Sequence, residues 1–92
     1  MTVTYERAVD LLEAELGDEL VALSLDNGHC FGFNSVAATV WQALERPRDF
    51  EELKATLLAE YEVPPDECAA ELRRLLDEFI AMNLVSARRN AQ

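Results

Sequence analysis

The apolar residues of this chain change period at one place, and that change limits the folds open to it. Before Asn34 they recur at every second residue; from Val36 onward they recur at every third or fourth. A period of two marks a strand with one buried face, and i, i+3, i+4 spacing marks a helix with an apolar stripe. A short strand, Gly28-His29-Cys30-Phe31-Gly32-Phe33, runs without a linker into the helix that Asn34 opens. The expected architecture is α+β and winged-helix-like: a three-stranded antiparallel sheet followed by three α-helices packed on one of its faces.

The strands are read as follows. Leu12, Ala14 and Leu16 share one side of a strand within residues 9–16, although Leu11, Leu12 and Ala14 would also suit a short helix. Gly17-Asp18 signals a turn. Val21, Leu23 and Leu25 alternate with Ala22 and Ser24, as in a half-buried strand. Asp26-Asn27-Gly28 suits a hairpin, because Asn-Gly readily takes positive φ. The third strand, 29–33, places Phe31 and Phe33 on one face and Cys30 and Gly32 on the other, and is expected at a sheet edge. Residues 1–7 are expected to be loose and the polar tail Ser86 to Gln92 frayed.

Asn34 is a suitable N-cap for a helix over 35–45, with Val36, Ala37, Val40, Trp41 and Leu44 as its stripe and Pro47 as its stop. Asp49 and Glu52 have the spacing of a capping box ahead of a second helix, whose stripe is Phe50, Leu53, Leu57, Leu58 and Tyr61. Pro64-Pro65 breaks the chain, and Asp66 and Glu67 favour the positive end of a third helix over 66–82. Leu84-Val85 should pack back on the core or add a short strand.

Length and charge then narrow the function. The 92 residues suit one domain, with a core at about 9–85. A formal net charge of −10 argues against nucleic acid and anionic membranes as partners. The third helix sharpens this, since it sets Asp66, Glu67, Glu71, Asp77 and Glu78 against Arg73 and Arg74. The start lacks the pattern of a signal peptide and no apolar run is long enough to span a membrane, so a cytoplasmic protein is expected. The two cysteines, Cys30 and Cys68, and the single His29 lack the spacing of a metal site, and no catalytic set or phosphate loop occurs. The expectation is a protein that is not an enzyme, with no cofactor and no metal.

What remains is recognition. On the third helix Cys68, Leu72, Leu75, Leu76, Phe79 and Ile80 span an arc of roughly 160°, where one-sided burial needs a little over 100°. A wide buried stripe accounts for this, and so does a groove along one flank, at Leu75 or at Leu76 and Ile80. An edge strand beside such a groove can capture a peptide by strand addition. Gly32 would leave room for the guest backbone or, alternatively, ease packing against the first helix.

These residues also resemble a known family. Gly-x-x-Phe-x-Phe-Asn running into Val36-Ala37-Ala38-Thr39-Val40-Trp41-Gln42-Ala43-Leu44 is similar to the motif of PqqD-like proteins, in which an aromatic and then Leu-Asn open a helix carrying an Ile/Val-Trp pair. Phe50-Glu51-Glu52-Leu53, Leu57, Glu60-Tyr61-Glu62-Val63, Cys68, Glu71-Leu72, Leu75-Leu76 and Leu84-Val85 continue the pattern over about residues 9–85. Phe33 stands where Leu is usual, and Asn83-Leu84 replaces the common Gly-Leu.

The resemblance implies a non-catalytic recognition element that binds the leader of a ribosomally made precursor peptide, beside strand 29–33 and against helix 66–82. It implies contacts from Cys30, Phe31, Gly32, Phe33, Cys68, Glu71, Leu72, Leu75, Glu78 and Phe79. The Tyr61-Glu62-Val63 segment and Cys68 most resemble the stand-alone proteins of lasso-peptide clusters, which implies a leader peptidase and a ring-closing synthetase as further partners. Glu45-Arg46-Pro47, in place of an Asp-Gly type of turn, favours that assignment over the pyrroloquinoline quinone one, which serves a radical enzyme. An acidic winged-helix module that binds a folded protein is the remaining alternative.

Overall fold

Asn34 does at the junction what its chemistry allows. In the computed structural model, which describes residues 2–17, 19–26 and 28–90, its side-chain Oδ1 accepts from the Ala37 N–H at 2.9 Å. That bond caps helix α1, Ser35–Ala43. Ahead of it come strands β1 (Thr2–Arg7), β2 (Leu12–Leu16), β3 (Glu19–Leu23) and β4 (Cys30–Phe33). After it come β5 (Arg48–Asp49), α2 (Phe50–Glu60), α3 (Pro65–Ala81) and β6 (Val85–Asn90).

The expected three-stranded antiparallel sheet is present, in the order β2-β3-β4. Gly17 and Gly28 hold φ of 65° and 75°, as the turns on either side of β3 require. Asp18 and Asn27, expected in those turns, lie outside the described residues. The capping box of α2 also forms: Asp49 accepts from the Glu52 N–H at 2.8 Å, and Glu52 accepts from the Asp49 N–H at 3.0 Å. At the end of α3, Asn83 takes φ 62°, and Leu84 N–H reaches back to the Phe79 carbonyl at 2.9 Å. This is a Schellman closure with Asn in the position that usually holds Gly.

Two expectations are corrected. Residues 2–7, expected to be loose, are β1, and residues 86–90, most of the tail expected to be frayed, continue from Val85 as β6. They pair antiparallel from Thr2↔Asn90 to Arg7↔Val85, and β5 joins on the other side of β1. This second sheet, β5-β1-β6, unites segments about eighty residues apart, a pairing that no local pattern encodes. Tyr5 anchors it: the ring is buried, and its hydroxyl accepts from Arg73 of α3 at 2.8 Å.

The second correction concerns β3. Its buried face is Leu20, Ala22 and then Ser24, whereas Val21 and Leu23 are half-buried and Leu25 is exposed. The reason is register. Leu20 lies opposite Phe33 and Ala22 opposite Phe31, so these four share the side that faces the helices. Phe33 then meets Trp41 and Phe79 at ring-centroid distances of 5.7 and 5.4 Å, and Trp41 meets Phe79 at 6.0 Å. This aromatic triangle, with Leu44, Leu53, Leu72 and Leu76 around it, forms the centre of the core.

Candidate binding groove at an open sheet edge

β4 is an edge of its sheet, and among the described residues no strand pairs with its outer side. The register fixes which of its backbone groups are available. Ser24 N–H donates to the His29 carbonyl at 2.8 Å, so Ser24 and His29 face each other as a hydrogen-bonding pair. Such pairs alternate along an antiparallel ladder, so Phe31 and Phe33 direct their N–H and C=O groups toward β3. Cys30 and Gly32 direct theirs to the open side.

Facing that side across a gap is α3. Leu75, Glu78, Phe79 and Met82 from the helix and Cys30, Phe31, Gly32 and Phe33 from the strand line a cavity of about 370 Å³. At one end, past Asn34, Ala37, Arg74 and Leu75, it meets a second cavity of about 210 Å³. Val36, Leu57, Tyr61, Val63, Cys68, Glu67 and Glu71 complete the walls of this second cavity. At the other end, Phe31 and Met82 are shared with a third, of about 310 Å³, that reaches His29 and Val9. The three make one trough running along β4, and their order follows the strand axis.

The two basic residues of α3 serve opposite sides. Arg73 turns toward the second sheet, with its guanidinium 4.4 Å from the Phe50 ring centroid as well as bonded to Tyr5. Arg74 stands where the first two cavities meet. It donates to Glu71 at 2.6 Å and to Glu78 at 2.8 Å. The hydrogen bond that it donates to Glu71, and then the charges of Glu71 and Glu78, raise its pKa above the usual arginine value. With Glu67, these side chains leave the rim of the trough net acidic.

The residues nominated from sequence fall into three groups. Cys30, Gly32, Glu71 and Glu78 are exposed and line the trough, and Phe31 and Leu75 are half-buried in its walls. Phe33, Cys68 and Phe79 are buried and form its floor. Leu72 differs: it is 0% exposed, belongs to the core and lines none of the three cavities. The flank left open by the sequence is the one carrying Leu75; Leu76 is in the core and Ile80 lies away from the trough. Sequence reasoning missed Asn34, Ala37, Arg74 and Met82 as groove residues. For Arg74 and Met82 a signal existed, since Glu71, Arg74, Glu78 and Met82 fall on Leu75's side of the helix at spacings of three and four.

Among the described residues no group of three His, Cys, Asp or Glu side chains could hold a metal ion, and no helix is long and apolar enough to cross a membrane.

Two known proteins or families resemble this chain. A family model described as coenzyme PQQ synthesis protein D (PqqD) matches residues 19–85, from the start of β3 to the start of β6. A solved structure, TbiB1 in complex with the TbiA(beta) leader peptide, resembles the chain with a TM-score of 0.75 and 28% sequence identity. The match covers 95% of this chain and 99% of that one. No protein of curated function matches.

Proposed function

This chain belongs to the PqqD family, and we propose that it is a non-catalytic recognition protein for the leader segment of a ribosomally made precursor peptide. One observation carries the reading: an unpaired strand edge whose Cys30 and Gly32 backbone groups face a trough walled by α3. A guest strand beside β4 would satisfy those groups and place alternate side chains against Leu75, Phe79 and Met82. The structural relative was solved with a leader peptide bound, which supports the same role here.

In this reading the protein hands the bound precursor to a leader peptidase and a ring-closing synthetase of lasso-peptide assembly, in the cytoplasm. Support comes from Tyr61, Val63 and Cys68, members of the segment most like the lasso-type proteins, which together line the 210 Å³ cavity. The contact set would be Cys30, Phe31, Gly32, Phe33, Cys68, Glu71, Leu75, Glu78 and Phe79. Leu72 would support the floor from beneath.

The test is titration with a synthetic leader peptide from the short open reading frame beside this protein's gene, followed by amide chemical shifts. Saturable binding with shifts confined to residues 29–33, α3 and the cavity walls is the expected result. No binding up to about millimolar peptide, or shifts centred on the second sheet, would contradict it.

A further inference from the structure

Among the described residues, neither backbone conformation nor a close neighbour requires position 32 to be glycine. Gly17 and Gly28 hold positive φ, but Gly32 does not. Among the described residues, a Cβ built at position 32 would meet nothing within 4 Å, so packing against α1 does not require its absence either. A glycine inside a strand weakens that strand, through extra chain entropy and the missing side chain. The cause therefore lies outside the chain, in something that comes close.

The register says what that is. Gly32 lies opposite Val21, and Cys30 opposite Leu23, all on the outward face of the sheet. Val21 and Leu23 are half-buried, with apolar surface remaining. A strand added beside β4 would set one residue directly opposite Gly32, with its side chain on that same face. Strands stand about 4.8 Å apart, so Val21 would be about 10 Å from the guest backbone. An aromatic or long apolar side chain spans that distance; alanine or serine does not. It can do so only by crossing the position where a side chain of residue 32 would otherwise stand.

We propose that Gly32 is a specificity-determining residue: the gap over it admits a large apolar side chain of the guest, which crosses β4 and rests on Val21. This rests on strand addition at β4 and adds which guest position is selected and for what. It also separates the guest's two faces. One set of side chains enters the trough toward α3; the other has one required member, over Gly32.

The probe is a displayed library of random 14-residue peptides selected on the full-length protein, with the best binders then synthesised. Register is read by scanning a thionitrobenzoate-activated cysteine through each binder. The exposed Cys30 thiol should trap it at one position, while Cys68 is buried and should not react. The guest residue two places from the trapping position, on the Gly32 side, should be aromatic or large and aliphatic. Gly32→Val should weaken these binders at least about tenfold and leave the free protein's melting temperature unchanged or higher. Shrinking the selected guest residue to alanine should weaken binding to the wild type but restore equal binding to Gly32→Val. Equal affinity of both proteins for the unshrunk binders, or a lower melting temperature for Gly32→Val, overturns the proposal while leaving strand addition standing. Binders that leave Cys30 untrapped at every position overturn strand addition as well.

Discussion

β2 and β4 are the two edges of one sheet, and they are built oppositely. β2 is Leu-Glu-Ala-Glu-Leu, exposed at every residue. Its glutamates lie on the inner side, and Glu13 reaches the Trp41 indole N–H at 3.0 Å and Arg7 at 3.6 Å. Its leucines point out, with Leu12 and Leu16 61% and 66% exposed. β4 is Cys-Phe-Gly-Phe, with no charge and a trough alongside. Charges on or beneath an edge strand discourage pairing with another chain. One edge of the second sheet follows the same rule as β2, since β6 carries Arg88 and Arg89. The difference teaches that three of the four sheet edges carry charge, β5 through Arg48 and Asp49, while the fourth, β4, is left open and faces the groove.

The largest effect that would sharpen this contrast is on the groove wall. Leu75→Asp should abolish peptide binding, by 100-fold or more, and leave circular dichroism near that of the wild type, because Leu75 is half-buried. Leu76→Asp, at a position with 0% exposure, should instead unfold the protein. Unfolding by Leu75→Asp would show that Leu75 belongs to the core and not to a binding wall.

Next in size is the edge itself. Gly32→Pro removes an N–H aimed at the open side and should cost binding about tenfold or more with the helices intact. A matching loss of helicity would mean that the N–H bonds within the chain.

A smaller change belongs to the closed edge. Glu13→Ala leaves the Trp41 indole N–H without its acceptor and removes the ion pair of Arg7, which keeps its bonds to the Trp41 carbonyl, so urea unfolding should show a loss of about 1–2 kcal/mol, with peptide affinity unchanged. A loss of affinity equal to that of the β4 variants would erase the distinction between the edges. The smallest effect is expected at Arg74→Ala. The Arg74 side chain is exposed and its pairs lie along one helix face, so the melting temperature should stay unchanged. Peptide binding should change modestly and mainly at low salt.

Much of this was legible in the sequence because the signals are local. The Asn34 cap, the Asp49–Glu52 box, the α3 stripe and the Phe31/Phe33 alternation each depend on neighbours within four residues. β1 and β6 were not legible: their pairing is decided by a partner about eighty residues away. Thr2-Val3-Thr4-Tyr5 is β-prone, yet nothing nearby offers it a partner. The inversion of β3 failed for a related reason. Val21, Leu23 and Leu25 look more apolar than Leu20, Ala22 and Ser24, but the facing Phe31 and Phe33 decide which side turns inward. Most of the residues nominated for binding line the trough because they share one strand and one helix flank. Leu72 lies in the middle of the apolar arc, between Phe79 and Leu76, and so faces the core and not the flank that borders the trough.

The most direct measurement is amide hydrogen exchange across residues 12–33, with and without a bound leader peptide. Exchange should slow at Cys30 and Gly32, whose N–H groups face the open side, while Leu12–Leu16 keep their free-state rates. Unchanged rates at Cys30 and Gly32 in a saturated complex, or protection that appears on β2 instead, would contradict the account.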